Sequence, residues 1–144
     1  MTDRTLLFHL SDIHFGLEDN RSLDWVAGEI AARKPAAVII TGDLTMRART
    51  REFAAARNWI LALDAPVTVE VGNLDLPYFN LFERFFDPYR RFHGMESVVE
   101  KELELPGIAV IPLMVDGERS EAASRLTFSL DTLDCDMLEP ADER

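Results

Sequence analysis

Positive charge is scarce in this sequence: 15 Lys and Arg stand against 26 Asp and Glu, a formal net charge of −11. Tracking a nucleic-acid duplex needs clustered Lys and Arg on phosphates, so that class of partner is not expected. Phosphorylated small molecules are not excluded, because bound metal ions can supply the positive charge. Cysteine is nearly absent, and Cys135 alone cannot close an internal disulfide. The N-terminus lacks the basic start and apolar run of a secretory signal, and together these features predict a reducing, cytoplasmic compartment. No apolar stretch approaches the roughly 18 residues that cross a bilayer, so no membrane partner is expected. Histidine is limited to His9, His14 and His93, which restricts how many imidazoles any metal site can draw on.

What is present suffices for one domain, since a chain of 144 residues can bury roughly 70% of its unfolded surface. Thr5 to Leu10 reads as a first strand, and Leu23, Val26, Ala27, Ile30 and Ala31 recur at helical spacing. Asn20 or Ser22 is the expected N-cap of that helix, and Lys34-Pro35 its end. Ala36 to Thr41 is a continuous apolar run of the kind buried in a parallel sheet. Phe53, Ala56, Trp59, Ile60 and Leu63 form a second amphipathic stripe, and Pro66 to Val71 returns to β-branched residues. The order βαβαβ predicts three parallel strands of an α/β fold, with ligands at their carboxyl ends.

Those carboxyl ends carry chemistry. Asp12 and His14 close Leu10-Ser11-Asp12-Ile13-His14, Asp43 follows Thr41-Gly42, and Asn73 follows Val71-Gly72. On an extended chain Asp12 and His14 would leave the same face, and a Gly before Asp43 and Asn73 would let the backbone approach a buried ion. Oxygen and imidazole ligands without thiolates suit Mn, Fe or Zn. A carboxylate shared by two ions, as Asp43 could be, would hold them roughly 3.5 to 4 Å apart and let a water between them attack phosphorus. Taken singly, such residues are commonly turn formers or caps after strands. Three such motifs in order favour the metal site.

The segments His9 to Gly16, Thr41 to Thr45 and Val71 to Asp75 resemble the motifs of the calcineurin-like metallophosphoesterases, and within them the class III cyclic-nucleotide phosphodiesterases. The resemblance spans about residues 4 to 113 and implies an αββα sandwich with a two-metal site that hydrolyses phosphomonoesters or phosphodiesters. It implies Asp12 and His14 on the first metal, Asp43 bridging, and Asn73 on the second. The family's third motif reads Gly-Asn-His-Asp, and its His acts on the leaving oxygen. Here that position is Leu74. The later Gly-His-x-His ligands of the family have no counterpart, so ligands for one ion are supplied and a second should bind weakly or not at all. Activity is expected to be impaired, and a non-catalytic scaffold or binding protein, or a truncated remnant, is the rival expectation. The implied substrate is a phosphorylated small molecule such as a cyclic nucleotide.

Residues 1–113 are thus read as the N-terminal part of such a domain, incomplete on its C-terminal side, and 114–144 as an acidic, divergent tail whose last dozen residues fray. Self-association or a partner chain could complete the sheet. Phe79, Phe82, Phe86 and Tyr89 are expected to pack as core or cap, and Val98 to Leu113 as an antiparallel hairpin around Pro106-Gly107, with Leu126, Phe128 and Leu130 in a later short strand. Arg47, Arg49 and Arg51 could meet a substrate phosphate, although a solvated helix start is the reading to be preferred. His9 should face away from His14 as a packed or hydrogen-bonded strand residue. His93 should sit near a helix end that favours a cation, and Asp75 should orient the Asn73 loop.

Overall fold

The structure, a computed structural model, describes residues 5–77, 81–100, 103, 105 and 108. All of them lie in Met1–Ile111, the first of two compact units. Strands β1 (Leu7–Ser11), β2 (Ala37–Thr41) and β3 (Val67–Val69) form a parallel sheet in that order. Leu7 lies opposite Ala37 and Ser11 opposite Thr41, while Val38 and Ile40 lie opposite Val67 and Val69. The register brings β1 and β2 to their carboxyl ends at the same level. The turns after them therefore leave the sheet side by side, as the βαβαβ reading requires. Val38, Ile40, Val67 and Val69 are fully buried, and burying each such side chain contributes roughly 1.5–3 kcal/mol.

Helix α1 (Asn20–Arg33) starts at Asp19, whose carboxylate accepts the Arg21 N–H at 3.0 Å and the Ser22 hydroxyl at 2.8 Å. The cap therefore falls just before Asn20 and Ser22, because a carboxylate both accepts these donors and complements the helix dipole. Lys34 ends the helix in the left-handed region, with φ 49° and its N–H on the Ile30 carbonyl at 2.9 Å. Ile30 is buried, Leu23, Val26 and Ala27 pack partly against the core, and Ala31, expected on that face, is exposed. Helix α2 (Thr50–Ala62) buries Phe53, Ala56 and Ile60. Its Trp59 ring lies 6.0 Å from that of Phe15.

Helices α3 (Leu81–Phe86) and α4 (Arg90–Val99) are separated at Asp87-Pro88-Tyr89. Helix α4 packs on α2 and β3 and buries Phe92, Met95 and Val99. The expectation that Phe82 and Phe86 join the core is overturned: they are 72% and 74% exposed, and their rings pair with each other at 4.5 Å. Spaced by four residues, they share a face and meet across one helical turn. Tyr89 is half-buried, and Phe79 lies outside the described residues. The expected hairpin strand from Val98 is also corrected, because Val98 and Val99 close α4. There the stripe Phe92, Met95, Val99 at helical spacing prevails over the strand-like alternation. Glu100, Leu103, Leu105 and Ile108 are described and lie in no strand, the Ile108 N–H donating to the Leu105 carbonyl at 3.0 Å. The rest of that hairpin, the Leu126 to Leu130 strand and the tail lie outside the described residues, as does Cys135. No helix among the described residues is long and apolar enough to cross a membrane.

Candidate metal centre

Three turns meet at the carboxyl ends of the strands. The His14 N–H donates to the Asp43 carbonyl at 3.1 Å, Phe15 to Leu44 at 2.8 Å, and Met46 back to Phe15 at 3.0 Å. These bonds extend the β1–β2 pairing into the motifs, ending in a parallel bridge between Phe15 and Thr45. Asp12 and His14 are not extended, however. Both are left-handed, with φ 54° and 56°. The strand-alternation argument is therefore corrected: two left-handed residues in three positions, not alternation along an extended strand, set the directions of these side chains. Such conformations are costly for residues with a Cβ and concentrate at functional sites.

One ligand atom from each of Asp12, His14 and Asp43 lies within 4.8 Å of the others. Gly42, with φ 75°, sits against the Asp12 carboxylate: a Cβ there would come within 3.5 Å of Oδ1. His14 is half-buried, and its Nδ1 is buried with no hydrogen-bond partner among the described residues. An imidazole nitrogen left unsatisfied beside two carboxylates fits a cation site, since buried polar atoms otherwise find partners. The donor set of two carboxylates and one imidazole suits a hard or borderline divalent ion.

The third turn closes over Asp43. Leu74 donates its N–H to Asp43 Oδ1 at 2.8 Å. A Cβ on Gly72 would overlap Asp43 and the Gly42 carbonyl carbon. Glycine at 72 thus makes room for Asp43 itself, which is a different reason from the approach to an ion expected above. Asn73 is exposed at the start of the 3₁₀ turn Asn73–Asp75, next to both of these contacts.

Asp75 is buried and accepts four hydrogen bonds: Leu44 N–H at 3.1 Å and Gly72 N–H at 2.9 Å on Oδ2, and Thr45 N–H at 2.7 Å and its hydroxyl at 2.8 Å on Oδ1. Burial pushes the Asp75 carboxyl up, and these bonds oppose the push. The sequence reading linked Asp75 to the Asn73 loop but missed its reach to Leu44 and Thr45. It also missed Glu52. This buried carboxylate accepts the N–H of Arg47 at 2.9 Å and of Arg49 at 3.2 Å, shaping the loop after Thr45. The sequence signal for Glu52 was an acidic residue in the first turn of a helix, where free N–H groups need acceptors.

Arg47, Arg49 and Arg51 are exposed at the start of α2, and Arg49 Nε lies 3.8 Å from Glu52 Oε1. His9 Nε2 pairs with the Thr41 hydroxyl at 2.7 Å, a hydrogen-bonded strand residue apart from the ligand group, but exposed instead of packed. His93 lies near the start of α4, the opposite end from the one that favours a cation, and pairs with Glu96 at 2.8 Å.

A family model described as calcineurin-like phosphoesterase matches residues 6–137. A comparison with curated proteins finds no match.

Proposed function

We propose, from the premise that this chain belongs to the calcineurin-like phosphoesterase family, that Asp12, His14 and Asp43 hold one divalent ion and that the chain hydrolyses a phosphodiester there. At the level of the family, the activity is metal-dependent hydrolysis of a phosphorylated substrate. The observation that carries the residue assignment is the convergence of Asp12, His14 and Asp43 within 4.8 Å, beside the unpartnered His14 nitrogen. A divalent ion bound there would polarise a phosphoryl oxygen and acidify an attacking water.

The chain's own residues then decide what is hydrolysed. Asp12 and Asp43 concentrate negative charge that an ion must offset before a phosphate can approach. The Leu74 N–H fixes one Asp43 oxygen, so the carboxylate is oriented before any ligand arrives. The Leu74 side chain has no proton to give, so the leaving oxygen departs unprotonated by this position. That favours aryl over alkyl esters, because a positioned general acid contributes about 10²- to 10⁴-fold. Arg49 is drawn toward Glu52, which makes Arg47 and Arg51 the better candidates for a substrate phosphate. Asn73 is the further ligand that the family resemblance implies, and manganese, iron and zinc all suit these donors. By resemblance a cyclic nucleotide is the substrate considered, in a cytoplasmic setting. Leu74 also favours a second reading, a non-catalytic protein that keeps the fold and the ion.

Manganese-dependent hydrolysis of an aryl phosphodiester by the 144-residue chain, beside Asp43→Ala, tests this. Turnover that disappears in Asp43→Ala supports the enzyme. Equal background in both overturns it in favour of the binding reading.

A further inference from the structure

The Asp75 side chain reaches both turns that flank Asp43 and is itself outside the ligand group. Leu44 and Thr45, which donate three of its four hydrogen bonds, directly follow Asp43 in the chain. The fourth comes from Gly72, whose backbone abuts Asp43. Ala48 donates its N–H to the Thr45 hydroxyl oxygen at 3.1 Å, so the hydroxyl proton is directed at Asp75. All four acceptor positions of the carboxylate are therefore met by donors. An amide in the same place would offer one oxygen and turn its NH₂ toward two N–H groups.

We propose that Asp75 is a positioning residue for the ion-binding carboxylate of Asp43. By tying the turn after β2 to the turn after β3, it holds the Leu74 N–H against Asp43 Oδ1 and keeps Gly72 packed on the Asp43 backbone. Both the main chain and one carboxylate oxygen of Asp43 are then fixed by bonds that converge on a single buried side chain. Because Asp43 also accepts the His14 N–H through its carbonyl, the same tie extends to the turn that carries Asp12 and His14. Groups that orient a metal ligand without touching the ion typically change affinity by about 10- to 100-fold when removed.

This proposal rests on the reading of Asp12, His14 and Asp43 as an ion site, and the test separates the two. Cobalt(II) is titrated into the full chain, with visible absorption recording the ligand field and circular dichroism checking the fold. The wild type should show a ligand-field band that Asp12→Ala loses. A wild type with no band, or an Asp12→Ala variant that retains it unchanged, removes the ion site and the proposal with it. With the band established, Asp75→Asn should bind about 10- to 100-fold more weakly and with an altered spectrum while still folded. A folded Asp75→Asn chain with wild-type affinity and spectrum overturns the positioning role and leaves the ion site standing. If Asp75→Asn does not fold, Thr45→Val and Thr45→Ser decide. Weaker binding in Thr45→Val, restored by the hydroxyl in Thr45→Ser, supports the tie, and unchanged binding in Thr45→Val overturns it.

Discussion

The main-chain N–H of Leu74 donates to Asp43 Oδ1 at 2.8 Å, so position 74 orients a candidate ligand through its backbone whatever side chain it carries. Replacing Leu74 should therefore leave ion binding intact.

Leu74→His separates one ion from two. With a single ion held by Asp12, His14 and Asp43, the substitution should leave turnover unchanged. With a second ion bound as well, turnover of an alkyl phosphodiester should rise toward the roughly 10²- to 10⁴-fold that general acids contribute. The ratio of alkyl to aryl ester hydrolysis in the two proteins reads the difference.

Two glycines give opposite results on substitution. Gly72→Ala drives a Cβ into Asp43 and the Gly42 backbone, where no flexible side chain can yield. It should destabilise the chain by about 1–3 kcal/mol and weaken ion binding. Gly28, in α1, has nothing within 4 Å of a built Cβ. Gly28→Ala should stabilise by about 0.5–1 kcal/mol, with ion binding untouched. Urea unfolding of both variants, followed by ion titration, makes the comparison.

The sheet was legible because its strands announce themselves locally: Ala36 to Thr41 is apolar throughout, and Pro66 to Val71 is rich in β-branched residues. The candidate ligands Asp12, Asp43 and Asn73 were legible for a related reason, since each lies shortly after the end of a strand. Their geometry was not. Alternation along an extended chain put Asp12 and His14 on one face, whereas both adopt left-handed backbone, which no periodicity encodes. Nor could spacing show that Asp75 bonds Leu44 and Thr45, some 30 residues away in sequence. The exposure of Phe82 and Phe86 ran against composition, because aromatic content speaks for burial without saying which aromatics achieve it. Phe92, Met95 and Val99 supply the buried face instead.

Acidity should favour the fold at one place away from the site. Burial first, then repulsion by Glu100 and Glu96, pushes the Glu70 carboxyl above its ordinary value of 4.5. The folded chain then holds the Glu70 proton more tightly than the unfolded chain, so stability falls as pH rises between 4.5 and the raised folded value. The penalty is complete above that value and absent below 4.5. Glu70→Gln should consequently raise stability at pH 7 and remove this part of the slope. Urea midpoints of both proteins between pH 4.5 and 8 check it, with parallel curves counting against the repulsion.

The most direct measurement is a manganese(II) titration followed by electron paramagnetic resonance, on the wild-type chain and on His14→Ala. A site built from Asp12, His14 and Asp43 takes up one ion per chain in the wild type and loses that binding when the imidazole is gone. An ion held as tightly by His14→Ala, or none held by the wild type, would contradict it.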